Sequence, residues 1–295
     1  MVHCRTGSLE TERVGMFLFP TVPVAASGGK VLEFGKESFL LYNTARAQGG
    51  ATKRIKFGHL GKPYSLVNHD LDAVVPREQL RDASVVPGID LASRAINGLM
   101  HSETLVLENE QATLARDLNN YPATHKVTLS GTGQWGNAAS DPIGDIDTAK
   151  EAIRSATGMY PNVIEISALA FKVLKRHANI IELIKYSQRG VVTAELLAQI
   201  FDVDRVVIGK AIGFDDAGAS IDIWGKDVIL AYVPTVAVGQ EQPSYAYTYT
   251  MVGNPAVEVP WYDKGSKSWI YGTSYERAAV LSGISSGYII KNAVA

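Results

Sequence analysis

Three features of the 295-residue chain predict an α+β fold. Helix and strand patterns alternate densely from Lys126 to about Val238, and a proline-free amphipathic run extends from Leu91 to about Leu118. Beyond Gln240 the pattern changes to long alternating strands. Together they describe a spine-like helix, a compact α/β insert and a β return.

The elements follow in chain order. Residues 1–29 carry mixed charge, Gly and Pro and read as an arm with little core of its own. Within it, VGMFLFPTVPVAASGG has the length and small-residue ending of an export signal's apolar region. Glu10 and Glu12, however, place negative charge where such a signal is positive, and Pro20 and Pro23 break its helix. An extended, proline-stiffened arm is the expectation. From Lys30 to Val75, the β-like pieces KVLEFG, FLLYN, TKRIKFG and YSLVNH flank a polar, Gly-rich stretch at Thr44–Arg54. Too few apolar residues are present to fill a core, so a long hairpin or extended loop is predicted over residues 30–75.

Pro76 and Pro87 mark helix starts, and Asp90 is placed to N-cap the long helix, about 40 Å in length. Ala92, Ala95, Ile96, Leu99, Met100, Leu107, Leu114 and Leu118 mostly follow i, i+3, i+4 steps. Glu103 and Glu110 fall on the same side as Leu107 and Leu114, which predicts a partly buried strut lying across a surface. The pairs Glu108/Glu110 and Asp202/Asp204 lack one-face helical spacing and read as solvated or turn residues.

The insert opens with strand HKVTL and helix DIDTAKEAIRSAT, with Asp141 as cap, Pro142 at the first helical position and Asp145 and Asp147 in the first turn. Strand NVIEIS follows. Two helical stretches then begin at caps Ser167 and Thr193, the first broken near Ala178 and Asn179, before strands RVVIGKAIG and DVILAYVP. The closing strands are SYAYTYTMV, AVEVPWYDKG, SWIYGTSYERAAVL and GYIIKNAVA.

Composition excludes several function classes. With 28 Lys plus Arg against 30 Asp plus Glu, no bulk field favours nucleic acid or an anionic membrane. Cys4 is the only cysteine, so neither a disulfide framework nor a multi-cysteine metal site is available. The six histidines never form H-E-x-x-H, and no run approaches the ~20 apolar residues of a membrane span. No metal or cofactor is therefore expected.

Two motif matches fail on physical grounds. SGTGQWG at Ser130–Gly136 contains G-x-G-x-x-G, but a dinucleotide site needs the helix to start inside the glycine motif, its N–H groups aimed at the pyrophosphate. Here the better helix start is at Ser140–Pro142, with aspartates at its mouth, and Trp135 is bulky for a phosphate cradle. Glu165 is the one acidic candidate for a ribose contact, and it lies inside a strand well past the usual spacing of about 20. A Gly-rich connection with a Trp anchor is predicted, and an NAD-type oxidoreductase using Gly131–Gly136 is the rival reading. GISSG at Gly283–Gly287 spells a nucleophile elbow, yet no histidine follows His177, so it reads as a small-residue turn between strands. No catalytic residue is assigned. KRIK at Lys53–Lys56 is the most concentrated positive charge; it either keeps a loop soluble or meets an acidic patch on a neighbouring chain, which makes Lys53, Arg54 and Lys56 the candidate inter-subunit contact.

The segments NNYPATHKVTLSGTGQW, SDPIGDIDTAKEAI, YPNVIEISALAFKVLKRH, IKYSQRGVVTAELLAQIFDVDRVVIGKA, IWGKDVILAYVP and GYIIKNAV, in this order, resemble the major capsid proteins of tailed bacteriophages, which have the Hong Kong ninety-seven type fold. They cover most of residues 119–295, and the order of elements covers the remainder. The resemblance implies a shell subunit, not an enzyme, that assembles as hexamers and pentamers into an icosahedral capsid around double-stranded DNA. It divides the chain into an arm (1–29), an extended loop over a neighbouring subunit (30–75), a peripheral domain around the spine helix (76–130 and 240–283) and an axial domain (131–239 and 284–295). It also implies assembly in the bacterial host cytoplasm with a portal, a decoration protein in some members and no membrane. Many members begin with a charged helical scaffolding region. This chain shows only a short arm, so a separate scaffolding protein is expected. Some members crosslink through Lys and Asn; Lys53, Lys56 and Asn292 exist, but no motif gives them that role. A cellular nanocompartment shell of the same fold is the alternative.

Overall fold

The computed structural model describes residues 13–32, 44–46, 48, 52, 54, 61–85, 90–185, 191–214, 217–234 and 244–295. The start of the described chain packs into the body of the protein, in part as an extended strand that contains Pro23. Helix α1 (Gly15–Leu18) and strand β1 (Thr21–Val24) bury Val14, Leu18, Phe19, Val22 and Val24. This corrects the expectation of a core-poor arm for residues 13–24: the apolar run is consumed by the core, because its removal from water is favourable wherever a complementary surface exists.

Strands β2 (Gly28–Leu32) and β3 (Gly61–Ser65) pair antiparallel from Gly28↔Ser65 to Leu32↔Gly61, so they form the base of a hairpin. Strand β4 (Val67–Pro76) follows, then α2 (Arg77–Ala83) starts at Pro76 as expected; Pro87 lies outside the described residues. The long helix α3 (Leu91–Arg116) is capped by Asp90, whose carboxylate accepts from the Ala92 and Ser93 amides. Glu108 departs from the solvated reading. It is buried at 1% exposure, and Glu103, on the face expected to be partly buried, is 2% exposed, because donors distant in sequence come to meet them.

The α/β part comprises β5 (Lys126–Thr128), α4 (Pro142–Thr157), β6 (Val163–Ser167), α5 (Ala168–Leu174), α6 (Ala178–Ile184), α7 (Ala194–Ile200), β7 (Arg205–Gly209), the hairpin β8 (Ile212–Phe214) and β9 (Ser220–Asp222), and β10 (Val228–Ala231). Ser167 and Thr193 cap α5 and α7 through their hydroxyls, accepting from the amides of Ala170 and Leu196. Asp141 occupies the N-cap position of α4 and Pro142 opens the helix, as expected, but the Asp141 carboxylate accepts from Asn179 Nδ2 rather than from a helix amide. The closing strands are β11 (Ala246–Met251), β12 (Ala256–Val257), β13 (Trp261–Asp263), β14 (Ser268–Leu281) and β15 (Gly287–Lys291).

Two sheets organise these strands. In the six-stranded sheet β14 is central: β4 pairs along one edge, while β11, β12 and β13 follow one another along the other, and β1 adds to β11 in parallel. The five-stranded sheet has the order β5-β15-β10-β6-β7. Strand β5, which the boundary at residue 130 groups with the spine helix, instead pairs in parallel with β15. A parallel partner so far along the chain leaves no local signature.

The five-stranded sheet is covered on both faces. Ile164, Ile166, Val206, Val228, Leu230 and Ile290 pack against α4, α5 and α7. Val163, Val207, Ile229, Ala231 and Ile289 pack toward α1, the C-terminal part of α3, Trp224 and Tyr245. Such a two-sided strand reads as a continuous apolar run rather than an alternation.

Both motif matches resolve into structure. Gly131–Gly133 form a 3-10 turn with Gly131 at φ 57°, a left-handed conformation suited to glycine. Trp135 is fully buried; its Nε1 donates to Asp145 Oδ2 at 2.8 Å and its amide donates to the Ala293 carbonyl at 2.8 Å. The indole is thus a core anchor, as the sequence suggested. Ile284–Ser286 form the turn between β14 and β15, and Gly287 lies so close to the Tyr245 ring that a Cβ would clash. Trp135→Ala is expected to lower unfolding stability by about 3–5 kcal/mol, read as a urea midpoint shift at unchanged slope.

Candidate assembly surfaces

The spine helix is held at two places by charge. On its sheet-facing side, Arg277 of β14 is fully buried, donates through Nη1 to Glu110 Oε2 at 2.8 Å, and lies 3.6 Å from Glu103. At its C-terminal end, Arg116 donates through Nε to Asp227 Oδ2 at 2.6 Å and through Nη1 to the Ile223 carbonyl. Lys291 Nζ donates to the same Asp227 oxygen at 2.8 Å, and the Asn292 amide donates to Asp227 Oδ1. Between these anchors Glu108 accepts from the amides of Val14 and Gly15 and from Trp224 Nε1. Burial pushes the Glu108 carboxyl above its ordinary range, while the Trp224 and backbone donors pull it down.

The anchored helix leaves surface features exposed around it. Of the three basic residues expected as an inter-subunit contact, Arg54 is exposed, and Lys53 and Lys56 lie outside the described residues. At the hairpin base, Tyr64 stacks on Tyr249 with ring centroids 4.4 Å apart, and the Leu66 amide donates to the Ser27 carbonyl. The base is therefore fixed to the six-stranded sheet. At the far end of that sheet Trp261, Ile270 and Val74 are in register across three strands and share a face, with Trp261 and Val74 about half exposed. Val259, two residues ahead of Trp261 in the chain, is 86% exposed. Large apolar side chains exposed near one another are candidates for burial against another chain.

No group of three or more potential metal ligands occurs among the described residues, nor does any described helix have the length and apolarity to cross a membrane. Residues 106–272, more than half of the chain, match the family model described as phage major capsid protein E. The chain belongs to that family.

Relatives of this capsid protein agree along the whole length. The major capsid protein of Burkholderia phage BcepMu is 38% identical over 98% of this chain and 94% of its own. A crystal structure of a phage-related protein from Bordetella bronchiseptica RB50 is 46% identical, with TM-score 0.81, over 96% of this chain and 92% of that one. The encapsulin of Synechococcus elongatus PCC 7942 is only 11% identical, yet it aligns over 99% of this chain and 92% of its own at TM-score 0.56. That last similarity is one of fold alone. The architecture is the Hong Kong ninety-seven type, and the family is one of structural virion proteins.

Sequence reasoning missed the residues that anchor the capsid helix. Arg277 sits in an otherwise ordinary strand pattern, and Glu108 looks like any helical carboxylate. Only Glu165, a carboxylate flanked by Ile164 and Ile166 in a short apolar strand, carried a visible signal. Tyr64→Ala is expected to remove the stacking contribution of about 0.5–1.5 kcal/mol together with the buried ring area. Limited proteolysis should then cut faster between residues 28 and 65, with the remainder of the chain melting nearly as before.

Proposed function

We propose that this capsid protein self-assembles as hexamers and pentamers into an icosahedral phage head that encloses double-stranded DNA, and that it has no enzymatic activity. The single observation carrying this reading is the 38% identity to the BcepMu major capsid protein over nearly all of both chains. Within the shell, the loop expected over residues 30–75 reaches a neighbouring copy beyond its base at β2 and β3, while β4 (Val67–Pro76) stays in the six-stranded sheet of its own subunit. The six-stranded sheet and α3 form the peripheral part, and the five-stranded sheet with α4–α7 forms the axial part at the capsomer centre. Neighbouring copies cover the apolar end of the six-stranded sheet around Val74, Val259 and Trp261, which a subunit alone leaves in water. Assembly takes place in the host cytoplasm with a separate scaffolding protein and a portal. A cellular nanocompartment shell is the second reading, favoured by the fold similarity to the encapsulin and disfavoured by the much stronger phage identity.

Electron microscopy and sedimentation of the purified full chain, with and without a co-expressed scaffold, test assembly. Capsomers, sheets or closed shells are expected; a monomer or dimer under every condition would overturn the proposal. Shells that hold a host enzyme and never DNA would favour the nanocompartment. Reversal of the exposed Arg54 to Glu is expected to lower the assembled fraction while leaving the subunit's melting temperature within a few degrees, since an exposed charge contributes about 0–1 kcal/mol to stability; joint reversal of Lys53, Arg54 and Lys56 is expected to lower assembly further.

A further inference from the structure

The N-terminal segment, the spine helix and the five-stranded sheet meet around a poorly satisfied carboxyl group. Glu165 of β6 is fully buried, and neither of its oxygens makes a hydrogen bond of good geometry, although the Gly209 backbone acts on the carboxyl. It points to the face of the sheet that packs on α1 and α3, directly opposite Ile229 in the β6–β10 ladder. Beside it stands Trp224: a Cβ built on Gly209 would meet both Glu165 Oε1 and the Trp224 ring. The same indole donates its Nε1–H to Glu108 at 2.6 Å. Two carboxyl groups from different elements therefore flank one tryptophan.

The neighbouring charges are already committed. From α3, Arg116 gives Nε to Asp227 and Nη1 to the Ile223 carbonyl, and from β15 Lys291 gives its ammonium to Asp227 and to the Arg116 carbonyl. Asp227, ahead of β10, is thereby paired. Glu108 has both oxygens filled by Val14, Gly15 and Trp224, and Arg13 acts on it through space. The phenols of Tyr121 and Tyr245, which hydrogen-bond each other, complete the surroundings and are held neutral by burial. Burial first, then the Glu108 and Asp227 carboxylates, raise Glu165 well above the usual carboxylate range; Arg116 and the Gly209 backbone oppose this.

We propose that Glu165 is a proton-operated latch: as the neutral acid it permits residues 13–24 to dock on the spine helix through Glu108, and its ionisation releases them. An ionised Glu165 places a second buried negative charge across Trp224 from Glu108, and relief requires water to reach it. Strands β6 and β10 are paired on both sides, whereas residues 13–24 are held by the Val14 and Gly15 amides on Glu108, the Arg13–His101 hydrogen bond, the buried Leu18 and Phe19 side chains, and β1 as an edge strand paired on one side to β11. The N-terminal segment is the cheaper element to move. Gly15 marks how closely it sits, since a Cβ there would clash with Gln111 and Glu108.

The direction of the pH dependence follows from linkage. The docked state holds the Glu165 proton more tightly than the released state, so docking is fully stable below the exposed-carboxyl pKa of about 4.3. It is lost as pH rises toward Glu165's raised value. One linked proton makes release about tenfold more populated per pH unit in that window.

Hydrogen exchange of the full chain from about pH 5 to about pH 9, corrected for intrinsic rates, tests this. Protection of the Val14–Val24 amides is expected to fall about tenfold per pH unit, with β6 and β10 changing little. Glu165→Gln and Glu165→Leu should each abolish the slope. Infrared difference spectra of the unmodified chain need no variant: a protonated-carboxyl carbonyl band should persist at neutral pH and vanish as protection is lost. A flat profile in the unmodified chain, an unchanged slope in a folded variant, or absence of that band would overturn the proposal.

Discussion

One buried carboxylate organises this subunit. Glu108 sits midway along α3 and accepts three N–H bonds, two from the start of the described chain and one from Trp224 after the β8–β9 hairpin. Charge-assisted bonds from backbone and indole donors are about twice as strong as neutral ones. They also require their partners to arrive in fixed positions. Through them the N-terminal segment, the spine helix and the five-stranded sheet share one core, which is the second face of that sheet.

The other constraints extend from this junction. Asp227 gathers Arg116, Lys291 and the Asn292 amide, tying the end of α3 to the last strand and to the turn before β10. Arg277 does the same for the six-stranded sheet through Glu103 and Glu110. Buried ion pairs contribute little net stability compared with apolar packing of the same volume, but removing one partner is costly. Their effect here is to determine where a long helix lies relative to two sheets. For a shell subunit, that placement sets the geometry of every contact made with neighbours.

The apolar surface left over is informative by position. The residues around Trp261 and Val74 lie at the end of the six-stranded sheet remote from the β1–β11 pair, whereas the Tyr64–Tyr249 stack holds the hairpin base close to that pair. The chain buries Trp135, Trp224 and three tyrosines of β11 and its approach yet leaves Trp261 half in water. That agrees with a family whose members function as assemblies.

The local chemistry of the chain determined much of this by itself. Asp90 and the proline-free run to Arg116 specify the spine helix, Ser167 and Thr193 specify two further helix starts, and Trp135 with its glycines specifies an anchored turn, because caps, periodicity and φ preferences act within a few residues. The tertiary structure alone decided the rest. Whether a carboxylate such as Glu108 or Glu165 faces water or core depends on Val14, Trp224 and Asp227, which are distant in sequence and obey no spacing rule. The same holds for β5 beside β15, for the N-terminal apolar run that became core, and for Arg277 beneath the helix. The GTGQWG match shows the division in one place: its residues dictated a turn and an anchor, and only the fold supplied Asp145 and Ala293 to hold the indole.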